Sequence, residues 1–273
     1  MATQAAAPAR AARPILKWAG GKQALAARLV ETFPARFDRY FEPFVGGASV
    51  FLALQPRRAV LCDRNAWLVE TYRTVRDQAA EVARELRGLC NTREDYLRIR
   101  ALDPCALPPA RRAAQLVYLN KTCFRGLFRV NRQGRFNVPY GAYARRYFDP
   151  GNLERFAAGL AGVELRCGDF EDGLAGITSR DFAYLDPPYH KLGGYSDFNR
   201  YTDEPFAEAD HERLAATCRA LHRLGVRWAL TQSDTALVRR LFARFRCRRI
   251  AARREINLAS RRRDIVELLI TNA

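Results

Sequence analysis

From Pro14 onward, apolar runs of strand length alternate with amphipathic stretches of helix length, and this alternation leaves few folds open. It predicts an α/β protein, a mostly parallel sheet with helices packed on its faces. The expected strands are 40–42, 59–63, 163–167, 182–185 and 227–231, short and apolar as buried parallel strands are, with a final hairpin over 247–256 and 264–270. Expected helices cover 66–75, 206–224 and 235–245. In the second, Leu214, Cys218 and Leu221 recur at helical spacing, and Gly225 supplies a stop. Between about residues 70 and 150 the alternation fails. Arg-rich helical segments there give way to an irregular run, 120–131, in which basic and aromatic residues interleave, as a nucleic-acid surface requires. The predicted organisation is a disordered tail at 1–13, a core built from 14–69 and 150–273, and an insertion at 70–149 that carries this nucleic-acid surface.

Charge narrows the choice of partner. The chain of 273 residues carries a net charge of +17, which favours a polyanion. Lysine occurs only at Lys17, Lys22, Lys121 and Lys191, so arginine, the better bidentate ligand of phosphate and guanine, supplies most of the excess. GC-rich coding would also favour arginine over lysine, but it does not create a charge excess. The seven cysteines are scattered and never form a CxxC pair, which argues for reduced thiols and against a zinc site. No apolar leader and no membrane-length apolar run is present, so a cytoplasmic protein is expected.

Three segments carry chemistry. Leu185-Asp186-Pro187-Pro188-Tyr189 follows an apolar strand, at the strand end where open α/β sheets bind ligands. An exocyclic aromatic amine is a poor nucleophile because its lone pair is delocalised into the ring. Acceptors that take both of its hydrogens favour a pyramidal, more nucleophilic form. The Asp186 carboxylate and the Pro187 carbonyl suit that task, Pro188 stiffens the loop, and Tyr189 offers a face on which a base can stack. An ordinary Asp-Pro turn is the competing reading. In Phe41-Glu42-Pro43-Phe44-Val45-Gly46-Gly47, small residues lead from a strand into an apolar helix, and Asp63 ends the next strand where a carboxylate can bind ribose hydroxyls. A plain turn and a helix cap remain open there. The glycine spacing is not that of a dinucleotide fingerprint. Leu16-Lys17-Trp18-Ala19-Gly20-Gly21-Lys22 superficially suggests a P-loop, but Leu16 stands where glycine should and Gln23 where Ser or Thr should. A bend carrying Trp18 and Lys22 can instead clamp a carboxylate and an adenine ring.

With these segments in this order, the chain resembles the Dam-type, class α (D12) N6-adenine DNA methyltransferases. The likeness extends from Leu16 to Ile270 through LKWAGGK, FEPFVGGASVF, LNKTCFRGLFRVNRQGRFNVPYG and LDPPY, then Phe198, Tyr201, Asp210-His211 and Ser233-Asp234-Thr235. The resemblance implies a Rossmann-like core that binds S-adenosylmethionine, interrupted by a mainly helical target-recognition domain. By motif, Trp18, Lys22, Glu42, Phe44, Gly46, Asp63, Asp169 and Asp186 fall at cofactor positions, and Asp186, Pro187, Pro188 and Tyr189 at the target adenine. Phe124 is placed like an aromatic wedge against the duplex, and Arg129 like a guanine reader. Lys17, Arg125, Leu127, Asn137 and Pro139 join them at the DNA. Ala142 stands where some members carry arginine, and Thr231-Gln232 replaces the more usual Ser-Asn before Ser233.

The expectation is therefore a monomeric, metal-independent enzyme. It would methylate adenine in double-stranded DNA, within GATC or another GA-containing site, with a restriction endonuclease as a possible companion. N4-cytosine methylation and a noncatalytic DNA-binding role are the alternatives. His190 is expected to be a surface or capping residue, having no second ligand at metal spacing. The zinc deaminase signature is absent. Tyr195, Phe198 and Tyr201 are candidates for a lid, and Arg253, Arg254 and Arg261 to Arg263 for a phosphate-binding loop or a solvated face.

Overall fold

The computed structural model describes residues 11–144, 146–190, 206–253 and 264–272. Among these residues, seven strands, β1 (Tyr40–Glu42), β2 (Ala59–Asp63), β3 (Glu164–Cys167), β4 (Phe182–Leu185), β5 (Arg227–Ser233), β6 (Arg246–Arg253) and β7 (Asp264–Thr271), form one sheet in the order β3-β2-β1-β4-β5-β7-β6. All neighbouring pairs are parallel except those made by β7, which runs antiparallel to both β5 and β6. The helices are α1 (Ala26–Val30), α2 (Ser49–Leu54), α3 (Ala66–Arg87), α4 (Arg93–Ala101), α5 (Pro109–Thr122), α6 (Pro150–Gly159), α7 (Phe170–Gly173), α8 (Glu208–Arg223) and α9 (Ala236–Leu241).

The strand order reverses between β1 and β4, so the crevice beyond their carboxyl ends is the natural ligand site of this sheet. Alternation along these strands sorts the core into two layers. Tyr40, Phe182 and Tyr184 face a large cluster shared with α3, α5 and α6, whereas Phe41, Ala183 and Leu185 face a second cluster under α8 and α9. At roughly 1.5–3 kcal/mol for each large side chain buried, these two layers supply the main driving force for folding.

β1, β2 and β4 lie where the apolar runs place them, because each is buried almost throughout. The helices differ more. α3 begins at Ala66, with the Asn65 side chain accepting the Leu68 N–H, but runs to Arg87 rather than stopping near 75. It continues past a break at Gln78 (φ −139°, ψ 41°) because Val82, Ala83 and Leu86 are buried further along. α9 is shorter than 235–245: Thr235 caps it, and Phe242 and Phe245 pack in the turn that follows. Residues 66–126 are mainly helical and share the first core cluster with the sheet, so α3 passes without interruption through the junction expected near 70. At the other side of the chain, Arg13 exchanges two backbone hydrogen bonds with the Asn152 amide, which ties the last residue of the expected 1–13 tail onto α6.

At the amino ends of the central strands, Asp181 is 1% exposed and accepts from the Arg39 backbone and guanidinium and from the Thr178 backbone and hydroxyl. This clamp joins the entry to β1 with the entry to β4.

Candidate active site

Asp186 leaves the carboxyl end of β4 half-buried, and no backbone donor among the described residues reaches it, the two prolines that follow having no N–H to offer. Its carboxylate accepts instead from side chains. The Lys22 ammonium lies 2.8 Å from both oxygens and also donates to the Gly20 carbonyl. The Thr231 hydroxyl donates to Oδ1 at 2.7 Å. The Pro188 carbonyl accepts weakly from the Gln232 amide at 3.4 Å, while the Pro187 carbonyl has no donor among the described residues. Tyr189 donates its hydroxyl to Glu267 of β7 at 2.7 Å, and the Lys22 ammonium sits 4.8 Å from the centre of its ring. Burial, with Asp186 and Glu267 nearby, holds the Tyr189 hydroxyl well above the usual tyrosine range, so it remains a donor. The loop is clasped from β5: the Gln232 side-chain carbonyl accepts the His190 N–H, and Ser233 donates to the His190 carbonyl. His190 bonds Thr235, and its ring meets that of His211, whose burial pushes its pKa down to about 4.

The same crevice is walled by the loop after β1. Gly46 has φ +43°, and a Cβ there would lie 2.7 Å from Trp18 Cδ1, so only glycine lets the indole sit against this backbone. The Gly46 N–H donates to Asp63 Oδ2, and its carbonyl accepts from Tyr72. Asp63 also accepts the Asn65 N–H, yet desolvation still pushes it up to about 6. Glu42, buried at the end of β1, accepts from Tyr40, and desolvation pushes it up to about 8. Phe44 stacks on Phe170 at 5.5 Å, which brings the start of α7 to this wall. Lys22 with Asp186, Trp18 against Gly46, and Gly46 with Asp63 thus join the three chemistry-bearing segments in one chain of contacts.

Asp169, expected at the cofactor, has partners within the protein. It caps α7, and its carboxylate takes both arms of Arg213 at 2.7 and 2.9 Å, which hold it below the usual carboxylate range.

The irregular run forms a surface beside the crevice. Asn120, fully buried at the end of α5, accepts the Lys17 N–H and donates to the Lys17 and Gly126 carbonyls. Gly126 has φ +70°, and a Cβ there would lie 2.3 Å from Lys17 Cδ, so the Lys17 side chain packs directly over it. Phe128 stacks on Trp18 at 5.3 Å, coupling this surface to the crevice wall. Phe124 is 40% exposed, an unusual position for a phenylalanine, and the Arg125 guanidinium lies 5.2 Å from its ring. The Phe124 N–H donates to the Pro139 carbonyl, and Arg125 is held at φ +60° with its N–H bonded to Tyr143. Arg129 is exposed. Asn137 accepts from its Nε and Nη2, and Nη1 has no acceptor among the described residues. Leu127 is half-buried between these residues.

Comparison with known proteins decides the family. The family model of the D12 class N6 adenine-specific DNA methyltransferases matches residues 18–256. The type II methyltransferase M.MjaIII of Methanocaldococcus jannaschii is 35% identical over 95% of this chain and 99% of its own length. The chain belongs to the D12 class. Among further relatives of this methyltransferase, the type II methyltransferase M1.LlaDCHI of Lactococcus lactis is 34% identical over 95% of each chain. The DNA adenine methylase of Escherichia coli K12 is 32% identical over 94% of each.

In this D12-class protein, the sheet brings Trp18, Lys22, Glu42, Phe44, Gly46, Asp63 and Asp186 to one end of β1, β2 and β4, and Lys17, Phe124, Arg125, Leu127, Arg129, Asn137 and Pro139 to the adjoining surface. Tyr195, Phe198, Tyr201, Arg254 and Arg261 to Arg263 lie outside the described residues. No helix among the described residues is long and apolar enough to cross a membrane, and none of their His, Cys, Asp and Glu side chains gather in threes as metal ligands do. Sequence reasoning missed Glu267, Tyr184, Asn120 and Arg213 as site residues. Glu267 carried a signal, a lone acid in the apolar run 265–270. Asn120 and Arg213 lie on helices where polar residues are ordinary.

Proposed function

We propose that this chain transfers the methyl group of S-adenosylmethionine to N6 of an adenine in duplex DNA, within GATC or another short site containing GA. One observation carries the reading: two acceptors, the Asp186 carboxylate and the Pro187 carbonyl, which has no donor among the described residues, adjoin in the chain at the sheet's switch point, just before half-buried Tyr189. The same acceptors suit the N4 amine of cytosine, and membership of the adenine-specific class favours adenine.

The donor set fits the proposed cofactor. Lys22 and Asp186 offer opposite charges to a zwitterionic amino-acid end, Asp63 offers a carboxylate for ribose hydroxyls, and Gly46 opens the wall beside Trp18. Glu42 and Phe44 shape that wall, and Asp169 would reach the cofactor's adenine with acceptor capacity left over from Arg213. When bound, S-adenosylmethionine supplies an electrophilic sulfonium methyl. Asp186 and Pro187 accept hydrogen bonds from the two N6 hydrogens and draw the nitrogen lone pair out of conjugation, and the Asp186 carboxylate would take the proton that N6 gives up on gaining a methyl group. Tyr189 carries the extruded base, and Glu267 fixes the tilt of its ring. Such a site works by orientation and electrostatics, with no covalent bond to the protein.

Residues 70–149 form the target-recognition part in this reading. Phe124 wedges into the stack the base has left, Arg129 reads guanine with Asn137 buttressing its guanidinium, and Lys17, Arg125, Leu127 and Pro139 line the groove. The exposed Phe124 ring beside cationic Arg125 supports that assignment. The proposed transfer is metal-independent, since a sulfonium methyl needs no Lewis acid to become electrophilic. The protein would act as a cytoplasmic monomer, and the type II relatives suggest a companion restriction endonuclease.

The test is to incubate the protein with labelled S-adenosylmethionine and unmethylated genomic DNA, digest to nucleosides, and map modified positions by long-read sequencing. N6-methyladenine at a single GA-containing site is expected. N4-methylcytosine would change the base, and the absence of label despite cofactor binding would favour a noncatalytic DNA-binding role.

A further inference from the structure

The register of the sheet gives Asp186 a second line of support that Lys22 does not provide. Leu185 pairs with Leu230, so Thr231 stands beside Asp186 at the carboxyl end of β5. Three groups form a chain: the Tyr184 and Thr231 hydroxyl oxygens are 2.8 Å apart, and Thr231 Oγ1 lies 2.7 Å from Asp186 Oδ1. Its direction follows from proton inventory. A carboxylate paired with an ammonium accepts only, so Thr231 must donate to it, and Tyr184 must then donate to Thr231. Tyr184 and Thr231 are fully buried, and desolvation with Asp186 nearby holds the Tyr184 hydroxyl well above its ordinary range, which keeps its proton in place. Valine and phenylalanine would fill the same two spaces without two buried hydroxyls that need partners.

We propose that Thr231 and Tyr184 are positioning residues for methyl transfer, a one-way hydrogen-bond chain that fixes the rotation of the Asp186 carboxylate. The inference rests on reading Asp186 as an acceptor for the target amine. Lys22 touches both oxygens of Asp186, whereas Thr231 holds Oδ1 alone. When Lys22 turns to a bound carboxylate, Thr231 therefore keeps the plane of the group and leaves Oδ2 for the amine hydrogen. A misplaced acceptor costs rate at the chemical step while leaving both ligands bound.

The test compares Thr231→Val, Thr231→Ser, Tyr184→Phe and the double variant Tyr184→Phe/Thr231→Val, with Asp186→Ala measured alongside. Single-turnover transfer rates, Kd for S-adenosylmethionine and KM for duplex DNA are read for each. Thr231→Val should slow transfer about tenfold to a hundredfold with both binding constants within about twofold of the parent, and Thr231→Ser should restore the rate. Tyr184→Phe should slow transfer about threefold to tenfold and add nothing to Thr231→Val, as members of one chain do. A Thr231→Val rate equal to the parent overturns the proposal, as does a Thr231→Ser loss equal to that of Thr231→Val. If Thr231→Val fails to fold, an unimpaired Tyr184→Phe overturns it. Full activity in Asp186→Ala would instead overturn the reading of the site itself, which separates the two failures.

Discussion

One strand carries an aspartate at each end, and the two do opposite work. Asp181 enters β4 and Asp186 leaves it, each beside a cation. Asp181 is saturated: Arg39 donates from its backbone, Nε and Nη2, and Thr178 donates twice, so every favourable direction around the carboxylate is filled. Asp186 has no backbone donor among the described residues, and its partners there are the Lys22 ammonium and one hydroxyl. A saturated buried carboxylate fixes structure, because exchanging its partners for water or a ligand brings no gain. An under-donated carboxylate at a strand's carboxyl end keeps capacity for a substrate. The same distinction separates buried Asn120, whose amide makes three hydrogen bonds, from exposed Arg129, whose Nη1 has no acceptor among the described residues.

This contrast can be broken by substitution. Asp181→Ala should cost about 3 kcal/mol in chemical denaturation, because it strands a partly buried Arg39. Although burial pushes Asp181 up, Arg39 and Thr178 bring it below the usual range, so its contribution is present above about pH 4 and is lost as pH falls through the folded value. The stability gap between wild type and variant should therefore narrow in acid, and a gap that is flat with pH would count against the clamp. Asn120→Ala should cost about 2–3 kcal/mol and weaken DNA binding, since it unties Lys17 from Gly126. A neutral melting result would place Asn120 among the exchangeable groups. Glu42→Gln tests the catalytic end from the opposite sign. The folded state holds the Glu42 proton up to about pH 8, so wild type loses stability as pH rises from about 5 to about 8, and a neutral amide at this position removes that loss. The variant should gain about 2 kcal/mol on wild type across that window, read from melts at several pH values. The smallest effect on stability belongs to Arg129→Ala, within about 0.5 kcal/mol, while discrimination between cognate and mismatched duplexes falls by about 1–2 kcal/mol. Equal weakening on both duplexes would make Arg129 a phosphate contact rather than a base reader.

The central strands were legible because fully buried parallel strands are written as apolar runs, and Asp186 was legible because two prolines and an aromatic residue follow it without competing donors. What escaped depends on partners far apart in the chain. Lys22 and Asp186 are separated by 164 residues, and Tyr189 and Glu267 by 78, so spacing alone cannot pair them. Tyr184 reads as an ordinary core residue within Phe182–Leu185, since periodicity assigns a face but not the bond its hydroxyl makes. The length of α3 escaped because Gln78 interrupts its geometry while tertiary packing sustains the turns beyond it. Asp169 appeared in sequence as a ligand position, and its engagement with Arg213 is visible only when α8 folds against α7.

The most direct test of this account is the single-turnover rate of methyl transfer to duplex adenine in Asp186→Ala, measured beside its melting temperature and beside Asp181→Ala. The account predicts a folded Asp186 variant slowed by roughly a thousandfold or more, and an Asp181 variant that is destabilised yet transfers at near the parent rate while folded. A well-folded Asp186→Ala protein with near-parent activity would contradict it.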